Sequence, residues 1–177
     1  MRPPEIIETD RLTLRVPAPP DAMSIFTGFS QDTEVTKYLT WRPHENIGQT
    51  DQFIAGCIDA WKGAERFPCV IVLKSEDKPI GLVEMRLNRF KAELGYVLAR
   101  PYWGQGIMTE AVRAVVDWAL SQPEIYRVWA FCDVENAASA RVMEKAGMQH
   151  EGILRRFVIH PNVSDAPRDC HCYAIVK

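Results

Sequence analysis

The stretch "LGYVLARPYWGQGIMTEAVRAVVDWAL", residues 94–120, decides how the rest of the chain is read. A strand-like run enters a turn holding Gly104 and Gly106 and leaves as a long apolar helix. A helix that starts just after a strand leaves its first backbone N–H groups without intrahelical partners, and its macrodipole makes that end partly positive. Glycines there carry no Cβ, so a bulky anion can approach the amides of Trp103, Gly104, Gln105, Gly106, Ile107 and Met108. The natural guest is a phosphate or pyrophosphate, although a plain tight turn explains two glycines equally well. A nucleoside triphosphate loop needs a Lys and Ser/Thr pair that is absent here. The dinucleotide fingerprint fails because Thr109 stands at its third glycine.

At 177 residues the chain reads as one domain. Hydrophobic residues make up 47% and charged residues 25%, ordinary values for a soluble globular protein. A net charge of −2 argues against nucleic acid as a partner, since phosphate backbones demand a basic field. No apolar run nears the ~20 residues of a membrane span, so no membrane partner is expected. The opening "MRPPEIIETDRLTLRV" has no apolar core of a secretory signal. Five cysteines, an odd and scattered set, fit reduced thiols and a cytoplasmic location. "CHC" (Cys170, His171, Cys172) hints at a metal, but a strand sends the two thiols to one face and the imidazole to the other. With no second cluster to complete a ligand set, no metal is expected.

Alternation in "RLTLRV" (11–16) marks an edge-like strand with one dry face. Asp21 can cap a short helix through Phe29, and "EVTKYLTWRP" leads into a loop. Gln49 to Arg66 carries Phe53, Ile54, Cys57, Ile58 and Trp61 at helical spacing. Strands follow at 67–75, 78–87 and 92–99. Helix 106–121 has one polar stripe, Glu110, Arg113, Asp117 and Ser121, and is otherwise apolar, as suits a helix lying across a sheet. "YRVWAFC" (126–132) is apolar on both faces and reads as a central strand. Asn136 caps a last helix ending at Gly147, and two closing strands flank a polar loop at 161–168. The expected fold is therefore α+β, with a mixed, mostly antiparallel sheet of about seven strands flanked by helices.

Together "ETDRLTLR", "AELGYVL", "PYWGQGIMTEA", "VENAASARVMEKAGM" and "EGILRR" resemble, in order, the GCN5-related N-acetyltransferase (GNAT) superfamily, and within it the Rim-type branch that acetylates ribosomal-protein N-termini. The resemblance spans roughly residues 8 to 176. It implies acetyl-CoA as cofactor, its pyrophosphate on the amides of Trp103 to Met108. It further implies a pantetheine arm paired with the backbone of Tyr96, Val97 and Leu98, in a gap where neighbouring strands splay apart. Asn136 would contact that arm and Ser139 would lie near the sulfur. Two departures stand out: Pro101 replaces the usual Arg or Gln, and Met143 replaces the tyrosine that protonates the departing thiolate.

Acyl transfer to an amine needs a neutral amine, support for an oxyanion and a proton for the leaving thiolate. An α-amine, with an ordinary pKa near ~8, is partly neutral at physiological pH, whereas a lysine amine near ~10.4 needs a base. Ser139 is the candidate donor; a back-bonded helix serine or a mere cofactor contact is the alternative. Glu93 is the candidate base, working through water, with Glu84 second; the alternative for each is an exposed strand carboxylate. Tyr173 could orient the acceptor or sit in the core. His44 and His160 could also approach the acceptor, but loop histidines usually meet solvent. Trp41 and Arg42 in "TWRPHEN" (40–46) could wall the acceptor. The acceptor is expected to be a peptide or protein N-terminus, with a small-molecule amine (antibiotic or polyamine) as the alternative. A catalytically silent acyl-CoA-binding module is the reading from another class. The sequence leaves a homodimer open.

Overall fold

Alternating apolar side chains, together with the residues that break the alternation, build most of one sheet. The computed structural model describes residues 1–64 and 66–177. Strands β1 (Ile6–Glu8), β2 (Leu12–Arg15), β3 (Arg66–Leu73), β4 (Lys78–Asn88), β5 (Lys91–Leu98), β6 (Arg127–Asp133), β7 (Gln149–Val158) and β8 (Arg168–Val176) form it. Their spatial order is β1-β2-β3-β4-β5-β6-β8-β7. Neighbours run antiparallel except β5 and β6. The fold is α+β, and the sheet has eight strands rather than about seven. The strand missed from sequence is β1, too short to show alternation; because it pairs with β2, the stretch 11–16 is interior rather than an edge.

Helix α4 (Ile107–Ser121) and helix α5 (Ala137–Lys145) lie on one face. Ile107, Met108, Ala111, Val112, Val115, Val116 and Ala119 of α4 are buried against Val83, Met85, Ala92, Leu94, Val128 and Ala130 of the strands. Burial of each valine, isoleucine or methionine among them stabilises by ~1.5–3 kcal/mol before chain entropy is subtracted. The polar stripe through Arg113, Asp117 and Ser121 faces outward, as its spacing requires. Helices α1 (Ala22–Ile25), α2 (Thr33–Thr36) and α3 (Ile47–Gly63) sit on the opposite face, where Ile25, Phe29, Ile54 and Cys57 meet Val70, Val72, Leu82 and Val97.

Three local readings change. The segment expected as one helix from Asp21 to Phe29 is a 3-10 turn at Pro19–Asp21, then α1, then a π-helical turn at Phe26–Ser30. Asp21 does not cap it, because its carboxylate accepts from Arg15 Nη1 and Nη2 at 2.8 Å and from the Ala18 amide at 2.8 Å. Part of the expected loop after it is α2, capped by Asp32. Helix α3 starts two residues before Gln49 under an Asn46 cap, and its expected final turn includes Glu65, outside the described residues. In β6, Val128, Ala130 and Cys132 are core, but Trp129 and Phe131 on the other face are only partly buried. That face is only partly covered: the helices packed most closely on β6, α4 and α5, lie on the opposite one.

Candidate active site

Strands β5 and β6 pair over three residues only, Lys91↔Arg127, Ala92↔Val128 and Glu93↔Trp129. Beyond Glu93 and Trp129 they diverge, opening a gap in an otherwise continuous sheet. The Ala99 amide donates to the Ile80 carbonyl at 2.8 Å, which fixes the alternation between β4 and β5. Gly81↔Leu98 and Val83↔Tyr96 are then non-hydrogen-bonded pairs, so the N–H and C=O of Leu98 and Tyr96 turn away from β4 into the gap. The Val97 backbone turns to β4 instead. Trp103 already occupies one of these edge groups: its indole donates to the Leu98 carbonyl at 2.7 Å.

The gap ends beside the start of α4. Gly104 and Gly106 both hold φ +75°, a left-handed conformation that glycine adopts without Cβ strain. Gly106 is the N-cap and has no side chain to satisfy the amides that follow. Among the described residues, the amides of Gly104 through Thr109 donate to no protein acceptor, whereas the Trp103 amide donates to the Arg100 carbonyl at 3.1 Å. A row of amides without protein acceptors at a helix start, beginning in the exposed residues Gly104 to Gly106, fits an anionic diphosphate. Trp103 lies at its edge through the indole, not the amide.

A support for this loop is not legible in the sequence. Glu110, in the first turn of α4, accepts from Thr9 Oγ1 at 2.6 Å, from the Arg11 amide at 3.0 Å and from Arg11 Nε at 2.6 Å. Burial works against the Glu110 carboxylate, but these donors outweigh it and hold its pKa below the ordinary value. Arg11 Nη1 also donates to the Gln105 carbonyl at 3.1 Å. With that carbonyl turned to Arg11, the trans peptide plane aims the Gly106 amide the opposite way. The β1–β2 turn thus holds the loop in shape.

Across the gap, Asn136 Oδ1 accepts from the Ser139 amide at 3.2 Å and caps α5, as expected. The Tyr96 side chain spans from β5 to Ser139, its hydroxyl 2.8 Å from Ser139 Oγ and 3.1 Å from the Ser139 carbonyl. Burial pushes the Tyr96 phenol well above its ordinary pKa, so it stays protonated. Met143, one turn further along α5, is fully buried in the core.

A family model described as an acetyltransferase (GNAT) domain matches residues 11–149. The chain belongs to the GNAT family. It is 31% identical over 175 residues to the uncharacterized N-acetyltransferase YoaA of Bacillus subtilis, covering 97% of both chains. Among solved structures, the microcin C7 self immunity acetyltransferase MccE in complex with acetyl-CoA and AMP superposes with a TM-score of 0.86 at 25% identity, over 96% of this chain and 94% of that one. RimL, a ribosomal L7/L12 α-N-protein acetyltransferase in complex with coenzyme A, shares the fold with a TM-score of 0.84 at 21% identity, over 97% and 98% of the two chains. The GNAT domain is an acetyl-CoA-dependent N-acetyltransferase acting on an amine. No helix among the described residues is long and apolar enough to cross a membrane.

On the α1–α3 face, a pocket lined by Arg66, Arg86, Asn88, Lys91, Glu93 and Trp129 lies over the closed β5–β6 seam and reaches the apex of the GNAT gap at Glu93 and Trp129. Glu93 Oε1 accepts from Arg86 Nη1 at 2.9 Å, while Oε2 has no partner among the described residues. Glu84, by contrast, is 7% exposed; its Oε1 accepts from Arg66 and Arg86 and its Oε2 from Arg66. It anchors the arginines and, being buried beneath them, is poorly accessible to an amine. Tyr173 stands on the α5 face, donates to Glu144 Oε1 at 3.0 Å, and is pushed up to about 12 by burial and that bond. It is a core tyrosine, on the opposite face of the sheet from Glu93.

His160 is shielded from solvent, whereas His44 is only partly buried. His44 bonds Thr50 Oγ1 through Nδ1 at 2.8 Å and packs on Trp41 and Phe53. His160 is 2% exposed, with Nε2 3.8 Å from Asp133 Oδ2. Burial lowers the pKa of both imidazoles. Asn162 Nδ2 donates to the carbonyls of Thr36 and Trp41 at 2.8 Å, tying the β7–β8 loop to the one holding Trp41. Arg42 remains exposed, 3.8 Å from Asp165. Cys170 and Cys172 face away from His171, as strand geometry requires, and His171 Nδ1 lies 3.0 Å from His150 Nε2.

Proposed function

We propose that the protein transfers the acetyl group of acetyl-CoA to the α-amine of a peptide or protein N-terminus by direct attack within a ternary complex. The observation that carries this is the three-pair contact of β5 and β6, which opens beside the unpartnered amides of Gly104 to Thr109. In this reading the edge groups of Tyr96 and Leu98 receive the pantetheine arm, with Val97 shaping the wall between them. The amides of Gly104, Gln105, Gly106, Ile107 and Met108, joined by Thr109, receive the pyrophosphate, and Trp103 flanks it. Asn136 holds the α5 terminus toward the arm. The coenzyme supplies a thioester, and the chain supplies orientation and proton traffic. Glu93 takes the amine's proton through water on its unpaired Oε2. Ser139 Oγ donates toward the departing sulfur, oriented by Tyr96, because Met143 has no proton to give.

An α-amine suits this site because a single water-linked carboxylate suffices for a group with a pKa near ~8. The Rim-type neighbours support the same acceptor class. A spermidine N(1)-acetyltransferase of Escherichia coli, 26% identical over 56% of this chain, keeps a small-molecule amine as the second reading. The buried Met143 favours a third, a coenzyme-binding module without turnover. Mass spectrometry of peptides, spermidine and aminoglycosides incubated with acetyl-CoA separates the three. One added acetyl on peptide N-termini supports the proposal, acetylated spermidine alone transfers it to polyamines, and coenzyme binding without product leaves the silent module.

A further inference from the structure

Helices α1 to α3 pack on β3, β4 and β5, and past the gap the helices packed most closely on β6 are α4 and α5, on the opposite face. What stands on the near face is aromatic. Trp129 and Phe131 alternate with the core residues Val128, Ala130 and Cys132 and so project from the face that carries Glu93. Phe157 of β7 meets Phe131 edge-on, with centroids 4.9 Å apart at 79°, and lies 6.4 Å from Trp129. Phe157 is 42% exposed. The three rings form a shelf that begins at the gap's apex.

The shelf is built at a local cost. Arg156, a non-glycine residue, holds φ +50°, and β7 slips register between Leu154 and Val158. Asp169 Oδ1 accepts the Arg156 amide at 2.9 Å, and Arg156 Nη1 donates to the Pro167 carbonyl at 3.2 Å, so neighbours hold the strained turn. Such strain persists where surrounding structure enforces it, and it clusters at functional sites. Its product is the placement of Phe157 against Phe131.

We infer that this shelf reads the side chain that follows the reacting amine, and that the preferred acceptor is a peptide whose second residue is large and apolar, above all aromatic. The inference deepens the acetyl-transfer reading and rests on it. The amine must arrive at the apex, between Glu93 and Trp129. From Trp129 to Phe131 is two strand residues, roughly 6–7 Å, the span from an N-terminal amine to the next side chain. A polar rim of Arg86, Glu93 and the Arg127–Glu151 ion pair borders the shelf, the arrangement of a ligand pocket. A second copy of the chain is a poor occupant, because three half-buried rings expose far less than the ~800 Å² per partner of a stable dimer.

The test compares kcat/KM for Ser-Phe-Gly-Gly and Ser-Gly-Gly-Gly with wild type, Phe157→Ala and Phe157→Trp. Wild type should prefer the phenylalanine peptide by about tenfold, Phe157→Ala should lose the preference, and Phe157→Trp should keep it. Calorimetric affinity for coenzyme A, bound on the far side of the gap, reports that each variant is folded. Equal wild-type rates for the two peptides, or a preference that survives in Phe157→Ala, overturn the shelf alone. Absence of transfer to every peptide overturns the acetyl-transfer reading with it. A dimer that Phe157→Ala converts to monomer in light scattering, preference intact, makes the shelf a subunit contact and defeats the proposal.

Discussion

The Tyr96 hydroxyl, 2.8 Å from Ser139 Oγ, joins strand β5 to helix α5 across a gap where the backbone makes no such link. Tyr96 is too strongly held in its phenol form to release a proton itself. Its contribution is to orient the Ser139 hydroxyl. Ser139→Ala should therefore lower kcat by about tenfold to a hundredfold. Tyr96→Phe should cost about two- to tenfold, the loss of one neutral hydrogen bond. Steady-state thiol release checks both, with KM for acetyl-CoA moving less than kcat. Wild-type kcat in Ser139→Ala would remove its proton role.

Gly104→Val tests the loop. An added Cβ at Gly104 meets no protein atom within 4 Å, so the fold tolerates its bulk. The left-handed φ, however, costs an L-residue ~1–2 kcal/mol, enough to weaken coenzyme binding by about tenfold once the loop relaxes. Titration calorimetry with coenzyme A reads this directly, and unchanged affinity would move the diphosphate elsewhere.

Gly81 faces the opposite constraint. A Cβ there would stand 2.5 Å from the Val97 carbonyl and 3.1 Å from Leu98 Cδ1, pushing β4 from β5 behind the gap. Gly81→Ala should destabilise the protein by about 1–3 kcal/mol, measured by urea unfolding. Wild-type stability would show that the strands yield freely.

Glu93→Gln should distinguish acceptors. An amine of pKa near ~10.4 depends on a base more than one near ~8, so a lysine-type amine should lose about tenfold more kcat/KM than a peptide α-amine. Equal losses for both would assign Glu93 to structure, through its pairing with Arg86.

Stability should fall in acid through His160. Burial lowers its pKa in the fold, so between the unfolded value of ~6.5 and that lower value the unfolded chain binds the extra proton. Stability is then intact above this window and declines as pH drops through it. His44, lowered by burial as well, adds to the same window. Burial of Asp133 is outweighed by its bonds from Arg168, which hold that carboxyl below the ordinary range, so it contributes only at more acid pH. Thermal midpoints from pH 7.5 to 5 should slope less in His160→Gln, and an unaltered slope would exclude this imidazole.

Local periodicity carries most of the fold: alternation in β2, the stripe of α4, and the cap at Asn136 are short-range signals. The divergence of β5 and β6 depends on tertiary pairing and is reachable only through family resemblance. The Thr9–Arg11–Glu110 clasp is invisible in sequence because its members lie about a hundred positions apart, and nothing in "ETDRL" names a partner. Glu84 and Glu93 look alike in sequence. Register against Arg66 and Arg86 separates them, leaving one buried under two arginines and the other half free. Trp129 and Phe131 mislead most, since hydrophobic residues on both faces of a strand predict coverage on both.

The short seam between β5 and β6 has a mechanical consequence. Three residue pairs are a narrow spine for a molecule whose leaves are β1 to β5 on one side and β6, β8 and β7 on the other. A ligand lying between the leaves would act as a splint, bearing on both edges at once. Amide protons along the inner margins should then exchange more slowly in its presence, while those of the outermost strands keep their pace.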